Sequence, residues 1–276
     1  MGLLFGPAGV PNSSPKPDSV SGIRRVKELG LELNELSFTH GVRMKEEAAA
    51  AVKEAAAGCG VRLSVHAPYY INLNSPEKEK VEASKQRLWA ALKVGDACGA
   101  EYACFHPAYL QGVPAKKVGE NVAAAVGELL DKAKGEGLTI KPGPEVTGRV
   151  SQWGSLEEIL ELYLNLGKRV VPVVDFSHVH ARGNGGLKTG KDFENVFDVI
   201  ASFDKALLGS LRMHVQGIAY SEKGEKRHLD LAESDFDYKA FFRVARGMGV
   251  SGTVICESPC REVDALKMKA FYASLG

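Results

Sequence analysis

The chain is 276 residues long, 45% hydrophobic and 25% charged, with a formal net charge of +1. That is ordinary for a soluble globular protein, and the near-neutral balance excludes a globally basic nucleic-acid binder, leaving any such contact to a local patch. The length suits one α/β barrel, and no apolar run is long enough to span a bilayer.

In chain order, MGLLFGPAGVP has no basic flank ahead of its short apolar run, so no cleaved leader is expected. Within it LLF (3–5) reads as a first strand, followed by a Pro/Ser-rich loop over 7–19. LELNELSF (31–38) alternates apolar and polar residues as a strand does. MKEEAAAAVKEAAAGCG (44–60) is an alanine-rich helix stopped by glycine. VRLSVHA (61–67) is a strand, and SPEKEKVEASKQRLWAALKVGDACG (75–99) is a helix opened by Ser-Pro and acids. EYACFH (101–106), LTIKPGPEV (138–146) and RVVPVVDF (169–176) read as strands, with the helix SLEEILELYLNLG (155–167) between the last two. LRMHV (211–215), the helix DFDYKAFFRVARGMG (235–249) and GTVICE (252–257) complete the pattern.

Eight strands alternating with helices predict a single-domain (β/α)₈ TIM barrel over 1–276. An open doubly wound sheet is the alternative, weakened by the lack of a GxGxxG after an early strand. The five cysteines are odd in number and form no CxxC, which predicts reduced thiols in a reducing cytoplasm.

His66, His106, Glu145, Asp175, His214 and Glu257 each stand at the carboxyl end of a predicted strand, one βα unit apart. A lone histidine at such a place is usually a hydrogen-bonded structural residue. Six consecutive strand ends carrying imidazole or carboxylate would instead converge on the barrel mouth where active sites form. Mixed nitrogen and oxygen donors suit Zn²⁺, Mn²⁺ or Fe²⁺ better than Mg²⁺ or Ca²⁺. Three of each exceed what one tetrahedral ion needs, so two ions sharing a carboxylate are expected, an arrangement that serves phosphoryl transfer. Spacing alone leaves His178 and His228 open, and reads His40 and His180 as surface residues. Arg182, Lys188, Lys191, Lys223, Lys226 and Arg227 fall in mouth loops, as a patch for a phosphate backbone would.

SVHAPYY, FHPAY, PEVTG, DFSHVHARG, MHVQG, RHLDLAE and ICESP occur in an order that resembles the endonuclease IV family of zinc-dependent apurinic/apyrimidinic endonucleases. The resemblance implies a (β/α)₈ barrel that cuts duplex DNA 5′ to an abasic site, leaving a 3′-hydroxyl. It implies His66 and His106 on a first zinc, with Glu145 bridging to a second held by Asp175, His214 and Glu257. His178 and His228 would take a third zinc. Tyr69 and Tyr70 stand where the family's loop enters the minor groove, and Arg182 and Arg227 would lie along the DNA. A monomer is implied as well.

One position departs from the pattern. Two residues before His228 the family has an aspartate ligand, and this chain has Lys226. The preferred expectation is a two-ion site in which Lys226 supplies charge to the phosphate, with Glu225 or Asp230 as substitutes for the aspartate if a third ion is kept. Two rival functions remain. A sugar isomerase or epimerase of the same barrel class would use Glu145, Asp175, His214 and Glu257 on one divalent ion, and a non-catalytic DNA- or metal-binding barrel would keep the ligands without turnover.

Overall fold

The computed structural model describes residues 2–276. Eight parallel strands form the barrel: β1 (Leu3–Pro7), β2 (Leu33–Ser37), β3 (Arg62–His66), β4 (Tyr102–Phe105), β5 (Lys141–Pro144), β6 (Val173–Asp175), β7 (Leu211–His214) and β8 (Gly252–Cys256). They pair as two four-stranded ladders, β2-β3-β4-β5 and β6-β7-β8-β1. Two parallel bridges close the ladders into a ring, Ala8 with Glu35 and Glu145 with Val173. The closed barrel, rather than the open sheet, is therefore the architecture.

The chemistry of β5 explains one of the two seams. Its sequence is Lys-Pro-Gly-Pro, and in a parallel strand alternate N–H groups face opposite neighbours. Lys141 N donates to Glu101 O at 3.1 Å and Glu145 N to Phe105 O at 3.0 Å, so these residues serve β4. Pro142 and Pro144 occupy the positions that would serve β6 and have no N–H to give. At the other seam, a Cβ on Gly6 would run into the Leu33 carbonyl, so only glycine lets β1 and β2 approach.

Outside the strands lie α1 (Ser19–Glu28), α2 (Glu46–Cys59), α3 (Lys78–Ala97), α4 (Ala115–Gly135), α5 (Leu156–Asn165), α6 (Phe176–Arg182), α7 (Gly190–Asp204), α8 (Tyr238–Gly247) and α9 (Glu262–Ala273). The sequence-predicted helices correspond to α2, α3, α5 and α8. For α3 the helix starts at Lys78, two residues beyond the Ser-Pro expected to open it, because Ser75–Glu77 turns first. Ser155 and Glu158 form a reciprocal capping box on α5. Between sheet and helices, Phe176 and Phe241 meet at 4.6 Å between ring centroids, and Phe241 and Phe242 at 4.8 Å. The amino-terminal end of the barrel is tied by Glu101, which accepts from Arg62 Nη2 at 2.7 Å and Arg212 Nη2 at 3.2 Å. No helix among the described residues is long and apolar enough to cross a membrane.

Replacing Gly6 with alanine should wedge β1 from β2. A loss of roughly 1–3 kcal/mol, read as a lower denaturation midpoint, is the expected outcome.

Candidate metal centre

His66, Asp175 and His214 are the last residues of β3, β6 and β7, and His106, Glu145 and Glu257 follow directly on β4, β5 and β8, so all six stand at the carboxyl-terminal end of the barrel. Parallel register sets Asp175 directly beside His214 and His66 beside Cys104. Glu145 is the hub and is fully buried. Its Oε2 lies 2.9 Å from His106 Nε2 and 3.4 Å from His66 Nε2. Its Oε1 lies 2.9 Å from His214 Nδ1. One carboxylate thus turns a separate oxygen to each of two donor groups, and Asp175 and Glu257 complete the second with His214.

Backbone partners orient the rings. A carbonyl only accepts, so His66 Nδ1 donates to Ala67 O at 2.8 Å and leaves the Nε2 lone pair for Glu145's side of the site. His178 likewise donates from Nδ1 to Val146 O at 2.9 Å. The Asp-x-x-His step has a local cause. Asp175 caps α6, its Oδ1 accepting from His178 N at 2.7 Å, and one helical turn carries the His178 ring back over the mouth. Gln216 Nε2 donates to the other oxygen, Oδ2, at 2.6 Å.

A third donor group stands beside the first two. His178 Nε2 is 3.4 Å from His228 Nε2. Glu225 Oε2 is 3.6 Å from His178 Nε2, and Glu225 Oε1 is 3.8 Å from His228 Nε2. Glu225 therefore fills the position sought two residues before His228. It does so because the hairpin Gly217–Ser221/Gly224–Leu229 is bulged. Ala219 pairs with Arg227 and Tyr220 with Glu225, so Lys226 has no cross-strand partner. A bulge re-phases the strand, and Glu225 and His228 face the site together although three residues apart. Lys226 and Arg227 are exposed. Lys226, expected to supply charge to the phosphate beside a two-ion site, is not among the residues that line the cavity over the ligands. Gly148 makes room for the group, since a Cβ there would press on Glu225 Cβ at 2.7 Å and His178 Cδ2 at 2.9 Å.

Two further expectations change. Arg182, expected along the DNA, donates to the carbonyls of Arg149 at 2.8 Å and Gln152 at 3.1 Å and clamps the loop after β5. His180, expected at the surface, is fully buried, with Nε2 3.2 Å from Asp235 Oδ1. Asp235 also accepts from Tyr220 Oη at 2.5 Å, so this trio anchors the hairpin that carries Glu225 and His228. Sequence spacing did not single out Arg149, Gln152 and Tyr109, which with Tyr69 wall a cavity of about 460 Å³ over the ligands. Nor did it single out Glu35 and Cys104 beneath them. Glu35 gave no separate signal, because Glu32, Asn34 and Ser37 are also polar in the same alternating segment. The rings of Tyr69 and Tyr70 project at the rim, 48% and 64% exposed. His40 is exposed, as expected, and so are Lys188, Lys191 and Lys223.

The protonation pattern fits a cation site. Burial lowers the His66 pKa, but Glu145 and the neighbouring carboxylates outweigh it and raise the group to about 9. His178 also stands at about 9, burial being outweighed by Asp175 and Glu225, and His214 is raised by Glu35 and Glu145 against its burial. Burial pushes Glu145 and Glu257 up, yet the adjacent His214 holds both well below the usual carboxylate range. For Asp175 burial prevails and raises it. Glu145 Oε1, His214 Nδ1 and Gln216 Oε1 are buried with no hydrogen-bond partner. Orphaned donors and acceptors of this kind ask for an ion, and a nitrogen–oxygen set of this composition fits Zn²⁺, Mn²⁺ or Fe²⁺.

Residues 23–273 match the family model described as the xylose isomerase-like TIM barrel. The chain is 36% identical over 274 residues to the uncharacterized protein MJ0133 of Methanocaldococcus jannaschii, covering 99% of this chain and 98% of that one. Among solved structures, endonuclease IV from Thermus thermophilus is similar with a TM-score of 0.71 at 18% identity, covering 98% of both chains. A D-tagatose 3-epimerase-like protein is similar with a TM-score of 0.68, also at 18% identity, covering 98% of this chain and 97% of its own. At such identity these likenesses show the barrel and do not separate the two chemistries.

The raised histidines fix the sign of two pH effects. In metal-free protein a pKa raised from 6.5 to about 9 contributes stability that is complete below 6.5 and lost as pH climbs through about 9. The denaturation midpoint of metal-free protein should therefore fall over that window. Metal uptake requires the neutral rings, so binding at pH 7 should release protons and tighten as pH rises. Calorimetry in buffers of different ionisation enthalpy measures the release, and proton-neutral uptake would contradict this protonation pattern.

Proposed function

The chain belongs to the xylose isomerase-like TIM barrel family, and we propose that within it this protein is a metal-dependent apurinic/apyrimidinic endonuclease, hydrolysing the phosphodiester 5′ to an abasic site in duplex DNA and leaving a 3′-hydroxyl. The observation that carries this reading is the third donor group. Glu145, Asp175, His214 and Glu257 would suffice for the single ion of a sugar isomerase or epimerase. His178, Glu225 and His228 then have no task, nor have His66 and His106. A phosphodiester cut uses all of them, because charge on attacking, bridging and leaving oxygens must be met at once.

In this reading His66, His106 and Glu145 would hold a first ion, Glu145, Asp175, His214 and Glu257 a second, and His178, Glu225 and His228 a third, and zinc would fit the donor set. Ions held there would supply Lewis acidity to the phosphodiester and would lower the pKa of bound water toward neutrality. The chain's own residues do the rest. Glu145 fixes the spacing of the first two groups by giving each an oxygen. Tyr69 packs edge-on to His66, 5.4 Å between centroids, and with Tyr70 offers apolar rings to the gap left by the missing base. An abasic nucleotide leaves the stack at low cost because no base pair must be broken. Arg149 and Gln152 stand across the cavity to take phosphate oxygens. Lys226 and Arg227, outside the cavity on the bulged hairpin, meet the flanking phosphate backbone.

Incision of a labelled duplex with one abasic site, before and after prolonged chelation, tests the proposal. Chelator-sensitive cutting with a 3′-hydroxyl product supports it. A fully loaded protein that binds the duplex without cutting points to a non-catalytic barrel, and one that exchanges a sugar carbon-bound proton with deuterium points to the isomerase.

Two neighbouring substitutions should separate by role. Glu225→Ala should cost on the order of 10²-fold in kcat and one bound ion by metal analysis. Lys226→Ala should keep every ion, weaken binding to abasic and intact duplex alike, and lower the slope of log Kd against log salt by about 1.

A further inference from the structure

Beneath the ligand cluster lies a carboxylate with no assigned task. Glu35 comes from β2 and is fully buried. Its Oε2 accepts from Ser64 Oγ at 2.8 Å and faces His214 Nε2 at 3.5 Å. Its Oε1 has no partner. On the opposite edge of the His214 ring, Nδ1 faces Glu145 Oε1 at 2.9 Å and Glu257 Oε2 at 3.5 Å. The ring is thus suspended between the ligand carboxylates at one nitrogen and Glu35 at the other.

We infer that Glu35 is a positioning residue for the second ion: it accepts the Nε2–H of His214 and so fixes the tautomer whose Nδ1 lone pair joins Glu145, Asp175 and Glu257. This rests on the reading that those residues hold a divalent ion. A neutral imidazole has one N–H and one lone pair, so an acceptor at one nitrogen makes the other the ligand. A carboxylate does this more strongly than an amide, since charge-assisted hydrogen bonds are about twice as strong as neutral ones. Cys104 also lies within ligand distance of Glu35 and His214. An ion bound there would need the Nε2 lone pair and would take His214 from the outer group. The Cys104 thiol is otherwise engaged, donating to Glu145 Oε2 at 3.2 Å. The inner trio is therefore a support for the outer site.

The test is cobalt titration of the metal-stripped full chain, comparing wild type with Glu35→Ala and the isosteric Glu35→Gln. The readouts are the visible d–d bands, the rate of cobalt loss to chelator, and the hydrogen-bonded ring N–H proton of His214 by NMR. Glu35→Ala should weaken one class of site roughly 10- to 100-fold, change its bands and abolish the ring proton signal. Glu35→Gln, which packs alike but lacks the charge, should weaken the same site several-fold. Should Glu35→Ala fail to fold, Glu35→Gln alone decides. Wild-type affinity and bands in Glu35→Gln overturn the inference, because packing alone would then account for the residue. A wild-type protein that takes up no cobalt overturns the metal centre itself and this role with it, whereas normal wild-type uptake with unaltered variants overturns only the role of Glu35.

Discussion

The two oxygens of Glu145 are the interaction on which the site depends. Each faces a different group of imidazoles, and the residue is buried on all sides. Asp175 and Glu35 are buried near it, along with His66, His178 and His214. So many ionisable groups in a barrel interior are tolerated only when charge is balanced locally. Protons on the histidines give one balance and divalent ions the other, and the two exclude each other at the same nitrogens. The centre is consequently a competition between protons and metal, decided by pH and by ion supply.

The barrel delivers that geometry through strand register. Asp175 lies beside His214 because β6 and β7 pair at those residues, and the ladder through β3 and β4 fixes the level of His66 against Cys104. Rigid elements hold ligands more sharply than loops do. Yet Glu145 sits at a seam, just after a strand whose two prolines cannot donate to β6. Its position survives because its own N–H serves Phe105 O and that of Val146 serves Val173 O, one on either side. The hub is pinned between both neighbours at the place where the ladder is thinnest.

Much of this was legible in the sequence because barrel strands repeat a simple rule. An apolar run ending in His or a carboxylate, once per βα unit, identified His66, His106, Glu145, Asp175, His214 and Glu257, and the structure brings all six to one mouth. The four helices read from alanine content, caps and terminal glycines are α2, α3, α5 and α8. Residues that act from outside that rule were hidden. Arg149 and Gln152 reach the cavity from a loop, and loops carry no periodicity. Arg182 looked free because charge in a glycine-rich loop looks free; only the fold shows which carbonyls it holds. His180 looked superficial because the groups that bury it, Asp235 and Tyr220, come from other segments.

Lys226 shows why position-by-position comparison misleads at such places. In a regular strand, residues two apart share a face, so an acid two before His228 would meet the same ion. Here the acid is three before, and on a regular strand it would point away. The register shift between Ala219 and Tyr220 absorbs the extra residue, and that residue is Lys226. The lysine is therefore an insertion in the geometric sense and leaves Glu225 beside His178 and His228. One short hairpin thus lines the cavity with Glu225 and His228 and exposes the cations Lys226 and Arg227. A phosphate chain crossing the mouth would meet both faces, whereas a small sugar held inside the cavity would meet only one.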